Sequence, residues 1–341
     1  MPASDRVKST AVARVDWVDY AKGICIVLVV LMHSTLGVQK ATGEITWLNS
    51  FIEWARPFRM PDFFMISGLF LASRIERPWR EYLDSKAAHF LYFYVLWMTI
   101  LYFAKGGFLA AHNPGELLKD WAFGFIQPNG ALWFIYILPV FMIVLKLTRQ
   151  VPPIFMFIIG AVLEALPIHT GWDMVDEFAN RFVYVYAGYW MAQRIFTFAA
   201  NIRQQNTASI LAALAVWGIV NALAVNGGYA ILPGVSLALG LAGACAVVTV
   251  GVLLSQSKRA GAIRYCGKNS IIIYLAFSLF MSSARAVLLK IGMPSDLGAV
   301  TLICTVCGIT GPLLLYWMTR DTALKFLFSR PHWAHLKPRG A

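Results

Sequence analysis

Asp19-Tyr20-Ala21-Lys22-Gly23-Ile24-Cys25-Ile26-Val27-Leu28-Val29-Val30-Leu31-Met32-His33 carries no charged side chain between Lys22 and His33. Extended to Val38 it gives an apolar run of about the 20 residues that a bilayer-crossing helix needs. Eleven positions separate Lys22 from His33. At 100° per residue that is three turns plus about 20°, so the two side chains share one helix face about 16 Å apart along the axis. One face thus carries an ammonium near one end and an imidazole deep in the apolar part.

Runs of this kind recur along all 341 residues, of which 59% are hydrophobic and 13% charged. Soluble domains average about 45–50% apolar and about 25% charged. The expected architecture is therefore all-α, a polytopic membrane bundle of about ten spans. They are expected near 20–38, 50–73, 88–109, 131–148, 152–169, 180–199, 208–226, 231–255, 269–289 and 297–319. Turn signals separate them, among them Pro152-Pro153, Asn226-Gly227-Gly228 and Met293-Pro294-Ser295. No soluble domain of useful size remains: residues 1–15 form one tail, 16–319 the membrane domain and 320–341 a second tail. The polar stretch Met1 to Val15 lacks a small-residue cleavage site, so the first apolar run is expected to stay as a helix.

The net charge is +12. The basic residues lie mostly in short connections, which favours membrane orientation over nucleic-acid binding. With the N-terminus inside, clusters such as Arg74, Arg77, Arg80 and Lys86, or Arg320, Lys325 and Arg330, fall on the inner side. The other side holds only Lys40, Arg56, Arg59, Lys105, Lys119, Arg181, Arg285 and Lys290. That bias places both termini in the cytoplasm and makes the number of spans even. Cys304 and Cys307 form a CxxC in an apolar helix without neighbouring His, which reads as helix packing; no metal site is expected.

Ionisable residues in a bilayer helix cost at least about 2.5–3.5 kcal/mol each, which makes them functional candidates. Lys22 and His33 suit a reaction between an anionic donor at one surface and a hydroxyl nearer the other, with His33 as general base. A snorkelling lysine and a packed histidine would leave the same spacing. The second span places Glu53, Arg56, Arg59 and Asp62 around Pro57 and Pro61. Two prolines remove helix donors, so a broken, wet outer half is expected, with Arg59 and Glu53 as acceptor or oxyanion contacts. Interfacial ion pairing is the alternative. Arg74 and Arg77, an RxxR, could fork onto phosphates or simply anchor the inner end. Glu164 and Arg285 are intramembrane without an assigned role.

Five motifs in order resemble the bacterial acyltransferase-3 family of integral-membrane O-acyltransferases, in its smaller, fucose-acetylase-like branch. They are Asp19-Tyr20-Ala21-Lys22-Gly23 through His33, Phe58-Arg59-Met60-Pro61 through Gly68, Arg74 and Arg77, Leu132-Trp133-Phe134-Ile135-Tyr136, and Gly267-Lys268-Asn269-Ser270 with Ile273-Tyr274-Leu275. The resemblance covers about residues 16–319. It implies transfer of an acyl group, acetyl by default and succinyl as the alternative, from cytoplasmic acyl-CoA to a hydroxyl of an envelope carbohydrate. It further implies the bacterial inner membrane and no permanently bound cofactor. In that family the basic residue of the first span and the RxxR are associated with the donor, which carries over to Lys22, Arg74 and Arg77; catalysis carries over to His33. Trp133, Asn269, Ser270 and Tyr274 are further candidate acceptor contacts. Two departures stand out: Ala276-Phe277 follow the late Tyr-Leu where members often have His, and no hydrolase-like domain follows the last span. The rival class is a transporter of a small sugar or anion. Its paired broken helices would need a counterpart to the second span, and none is evident.

Overall fold

The computed structural model describes residues 15–108, 114–128, 130–257, 260–292 and 294–336. The first tail, and Arg6, Lys8, Arg14, Lys258, Arg259, Met293, Lys337 and Arg339, lie outside the described residues. Among the described residues every regular element is helical. In chain order these are α1 (Asp16–Thr42), α2 (Asn49–Leu69), α3 (Trp79–Leu83), a π-helical segment (Asp84–Ala88), α4 (His89–Phe108), α5 (Pro114–Phe123), α6 (Trp133–Leu147) and α7 (Pro153–Ala165). They continue as α8 (Asp173–Trp190), α9 (Ala192–Ile202), α10 (Thr207–Asn226), α11 (Val235–Ser257), α12 (Gly261–Lys268), α13 (Ser270–Ile291) and α14 (Leu297–Thr319).

Among the described residues, seven helical segments are long and apolar enough to cross a bilayer: 16–42, 79–104, 130–147, 207–226, 235–257, 270–291 and 297–319. The remaining three expected spans correspond to α2, which carries four charges, to the 13-residue α7, and to α8. The chain is a polytopic helical membrane bundle. Apolar side chains still exposed on the bundle support this: Leu211, Val216, Ile219, Val220 and Leu223 of α10 face outward, as a lipid-facing surface would.

Three boundaries differ from the sequence reading. The third span begins at Trp79, because α3, the π segment and α4 follow one another without a break. The expected span at 180–199 divides at Met191 into α8 and the amphipathic α9. α2 stays helical through both prolines. Pro57 and Pro61 remove two donors, but neighbouring polar groups keep this part of α2 held. The Arg59 guanidinium donates to the Ile52 carbonyl at 3.3 Å, and Asn221 of α10 donates to the Trp54 carbonyl at 2.7 Å. The Trp54 indole N–H returns a bond to Gly218 at 3.1 Å.

α1 lies at the centre, against α2, α11, α12, α13 and α14. Glycines set the closest crossings. A Cβ on Gly267 would overlap the Asp19 carbonyl, and one on Gly23 would overlap that of Ile263, so α12 and α1 meet backbone to backbone. Gly68 and Gly188 do the same for α2 and α8. Loops fold onto one another at the end where α1 begins: Arg264 pairs with Asp16, Glu76 with Arg149 at 3.8 Å and Asp84 with Arg330 at 2.8 Å. We call this the basic end.

Candidate functional site

A cavity of about 250 Å³ opens between α1, α2, α4, α6 and the α12–α13 junction. Asp19 and Lys22 supply its α1 wall, Phe63, Ile66 and Ser67 its α2 wall. Lys268, Ser270 and Tyr274 line it from the other side. The glycine contact between α1 and α12 explains why Lys22 and Lys268, 246 positions apart, share one cavity: two helices in backbone contact bring adjacent side chains into the same space. Lys22 also sits 5.6 Å from the centre of the Phe70 ring, just past the end of α2.

His33 is half-buried on the same continuous helix as Lys22. Its ring centre lies 5.2 Å from that of Phe277. Phe277 in turn lies 6.3 Å from Tyr274, which lines the cavity. Ser270, Tyr274 and Phe277 fall at i, i+4 and i+7, one stripe of α13. That stripe leads from the cavity to His33, which is not itself among the cavity-lining residues. The ring that meets His33 belongs to the Ala276-Phe277 pair that follows the late Tyr-Leu.

The remaining candidates fall in different places. Ser270 and Tyr274 reach the cavity, and the Tyr274 hydroxyl donates to the Ala131 carbonyl. Trp133 stands beside it, with its ring 5.9 Å from Phe64. The Asn269 amide closes on its own helix, donating to the Tyr265 carbonyl at 2.9 Å between α12 and α13. Arg59 is 8% exposed and spends one guanidinium nitrogen on the Ile52 carbonyl. Glu53 pairs with Arg56 at 3.3 Å, both well exposed.

Arg74 and Arg77 lie not on α2 but in the turn-rich segment that follows it, since α2 ends at Leu69. This loop hangs on Lys146, 2% exposed at the end of α6. Its ammonium donates to the carbonyls of Ile75 at 2.5 Å and Arg77 at 2.7 Å, and it lies over the rings of Tyr82 and Trp79 at 4.7 and 5.0 Å. Nothing local in the sequence marks Lys146 as a lysine that closes a loop seventy positions earlier. Lys268, part of the Gly267-Lys268-Asn269-Ser270 motif, lines the cavity together with Lys22.

Two further intramembrane carboxylates each have one oxygen hydrogen-bonded within the bundle. The Cys25 thiol donates to Asp62 at 2.6 Å, both fully buried. The Glu164 carboxylate accepts from the Tyr184 hydroxyl at 3.2 Å. Arg285 lies against Gly37, one turn beyond His33 on α1.

The acyltransferase-domain pattern of the acyltransferase-3 family matches residues 15–317. The chain belongs to the acyltransferase-3 family. Within this acyltransferase family, the chain is similar to the inner membrane protein YcfT of Escherichia coli (strain K12), 26% identical over 227 residues that make up 59% of this chain. The match spans 63% of the length of that relative. No solved structure matches significantly. The glycine-lysine-asparagine-serine motif of this chain has a plain physical reading. Gly267 permits contact with α1, Lys268 and Ser270 enter the cavity, and Asn269 caps the junction.

Proposed function

We propose that this protein is an O-acyltransferase of the bacterial inner membrane, with both termini in the cytoplasm. It moves an acyl group, acetyl by default, from cytoplasmic acyl-CoA to a hydroxyl of an envelope carbohydrate or lipid-linked sugar. The observation that carries the reading is the single cavity lined by Lys22 and Lys268, whose α13 wall runs on to His33. CoA is a polyanion, so its phosphates belong with the cations at the basic end: Lys22, Lys268, Arg74 and Arg77. A cavity of about 250 Å³ is smaller than a typical pocket for a drug-sized ligand, at about 300–1,000 Å³. It suits the acylated end of the donor, with the nucleotide remaining outside.

His33 then takes the proton of the acceptor hydroxyl as the oxygen attacks the thioester carbonyl. Collapse of the tetrahedral adduct breaks the carbon–sulfur bond, and the CoA thiolate leaves and is reprotonated. A base so placed contributes about 10²–10⁴-fold. Ser270 and Tyr274 line the route and orient the reacting groups. Mass spectrometry of periplasmic and surface glycans from cells with and without the gene tests the reading. An acyl ester present only with the gene is expected; identical glycans in both strains would refute it.

A further inference from the structure

The π-helical segment Asp84–Ala88 joins α3 to α4 without interrupting the helix. Such segments are rare and concentrate at functional positions, because they rotate one side chain out of the regular register. The side chain in the middle of this one is Lys86. Phe90, four residues further on, lines the cavity, so Lys86 occupies the same face about one turn nearer the basic end. Three charges from two other places in the chain act on Lys86: Arg74 and Arg77 in the loop after α2, and Lys22 on α1. All three are positive.

The carboxylate closest in sequence does not neutralise this group. Asp84 accepts from Arg330 at 2.8 Å, from the Leu336 backbone N–H at 2.7 Å, and meets the His335 ring at 3.2 Å. Arg330 also donates to the Asp84 carbonyl at 2.8 Å. The segment after α14 is thus folded back onto the π turn. Tyr92 and Trp97 of α4 donate to the carbonyls of Phe326 and Leu327 in that segment. Arg330 is 4% exposed at this contact, so the clamp is largely desolvated. It engages both Asp84 oxygens while fixing the turn that carries Asp84 and Lys86. Gathering like charges costs energy that a bound polyanion returns.

We infer that Lys86 is a further phosphate-binding cation of the donor site, presented by the π turn and held there by the C-terminal clamp on Asp84. This rests on the acyl-CoA reading above. The arginines supply planar forks, and Lys86 a point charge that can follow a phosphate between them.

The test is CoA titration of the purified full-length protein in lipid nanodiscs, comparing wild type, Lys86→Ala and Lys86→Arg. Losing one charge-assisted bond should raise the Kd for CoA roughly tenfold in Lys86→Ala. Lys86→Arg should stay within about threefold of wild type, since the charge is kept. The salt dependence of binding should become shallower in Lys86→Ala only. Acetyl-pantetheine, which has no phosphate, should bind wild type and Lys86→Ala alike. Unchanged CoA affinity in Lys86→Ala, or an equal loss toward acetyl-pantetheine, would overturn the assignment while leaving the donor reading intact. Failure of wild type to bind CoA would overturn the donor reading, and this assignment with it.

Discussion

The Lys146 ammonium lies 2.5 Å from the Ile75 carbonyl and 2.7 Å from that of Arg77, so a buried cation on α6 fixes the loop that carries Arg74 and Arg77. Lys146 is a positioning residue: it faces backbone, not the cavity. Removing its charge leaves two carbonyls short of a donor, at about 1–3 kcal/mol each. Lys146→Met is expected to lower thermal stability and raise the KM for acyl-CoA more than it lowers kcat. Lys146→Arg should recover part of the KM. Steady-state kinetics and a melting curve check this; a fall in kcat with KM unchanged would contradict the positioning role.

A methyl group at position 267 would overlap the Asp19 carbonyl, and one at position 23 the Ile263 carbonyl. Neither clash can be relieved by a side-chain rotation, because both obstacles are backbone. Gly267→Ala should therefore push α12 off α1, with an overpacking cost of about 1–3 kcal/mol. Lys268 would leave the cavity with it. Activity should fall at least tenfold, whereas Gly261→Ala, which meets open space, should behave as wild type. Acyl transfer measured in membranes at matched expression distinguishes the two.

The bundle itself was legible because apolar runs and their punctuation are local signals. Gly43 and Gly292 end α1 and α13 in left-handed conformations, and Asp296 caps α14 as its position before Leu297 suggests. Lys22 and His33 were legible for the same reason, since one unbroken helix fixes their relation. The misreadings have tertiary causes. Pro57 and Pro61 looked like breaks because the groups bracing α2, Arg59 and Asn221, act across turns and between helices. Lys86 looked like one of several interchangeable inner-side charges because its charged surroundings come from elsewhere in the chain, the loop after α2 and α1. The split at Met191 carries no proline or glycine. Its mark was the amphipathic pattern of Ile195, Phe196, Ala199 and Ile202, hidden inside a longer apolar run.

If His33 removes the acceptor proton, His33→Ala should abolish acylation to below about 1% of wild type, as loss of a general base does. Expression should be retained in this variant. Arg74→Ala should abolish acylation as well, through the donor. Lys22→Arg should keep more activity than Lys22→Ala, because the site asks for a cation at that depth. Glycan mass spectrometry on the four variants reads all three outcomes. Normal acylation in His33→Ala or in Arg74→Ala would remove the role assigned to that residue. Equal loss in the two Lys22 variants would point to helix packing.

At the far end of the bundle Asp296 gives a pH dependence whose sign is fixed by its partners. The backbone N–H groups of Ala299 and Gly298 and the Trp47 indole hold its carboxylate below its ordinary value of 3.8. A folded-state pKa below the unfolded one means that the carboxylate stabilises the fold above about pH 4. That contribution is lost as pH falls through the lowered value. Protonation should release Trp47, loosening the α1–α2 connection from the start of α14. The difference in tryptophan emission between the wild type and Trp47→Phe, which isolates Trp47 among the 12 tryptophans, should change below pH 4. Asn caps a helix as well as Asp does but does not titrate, so Asp296→Asn should keep the emission flat across that range. A transition of the same size in Asp296→Asn would show that another group governs this end.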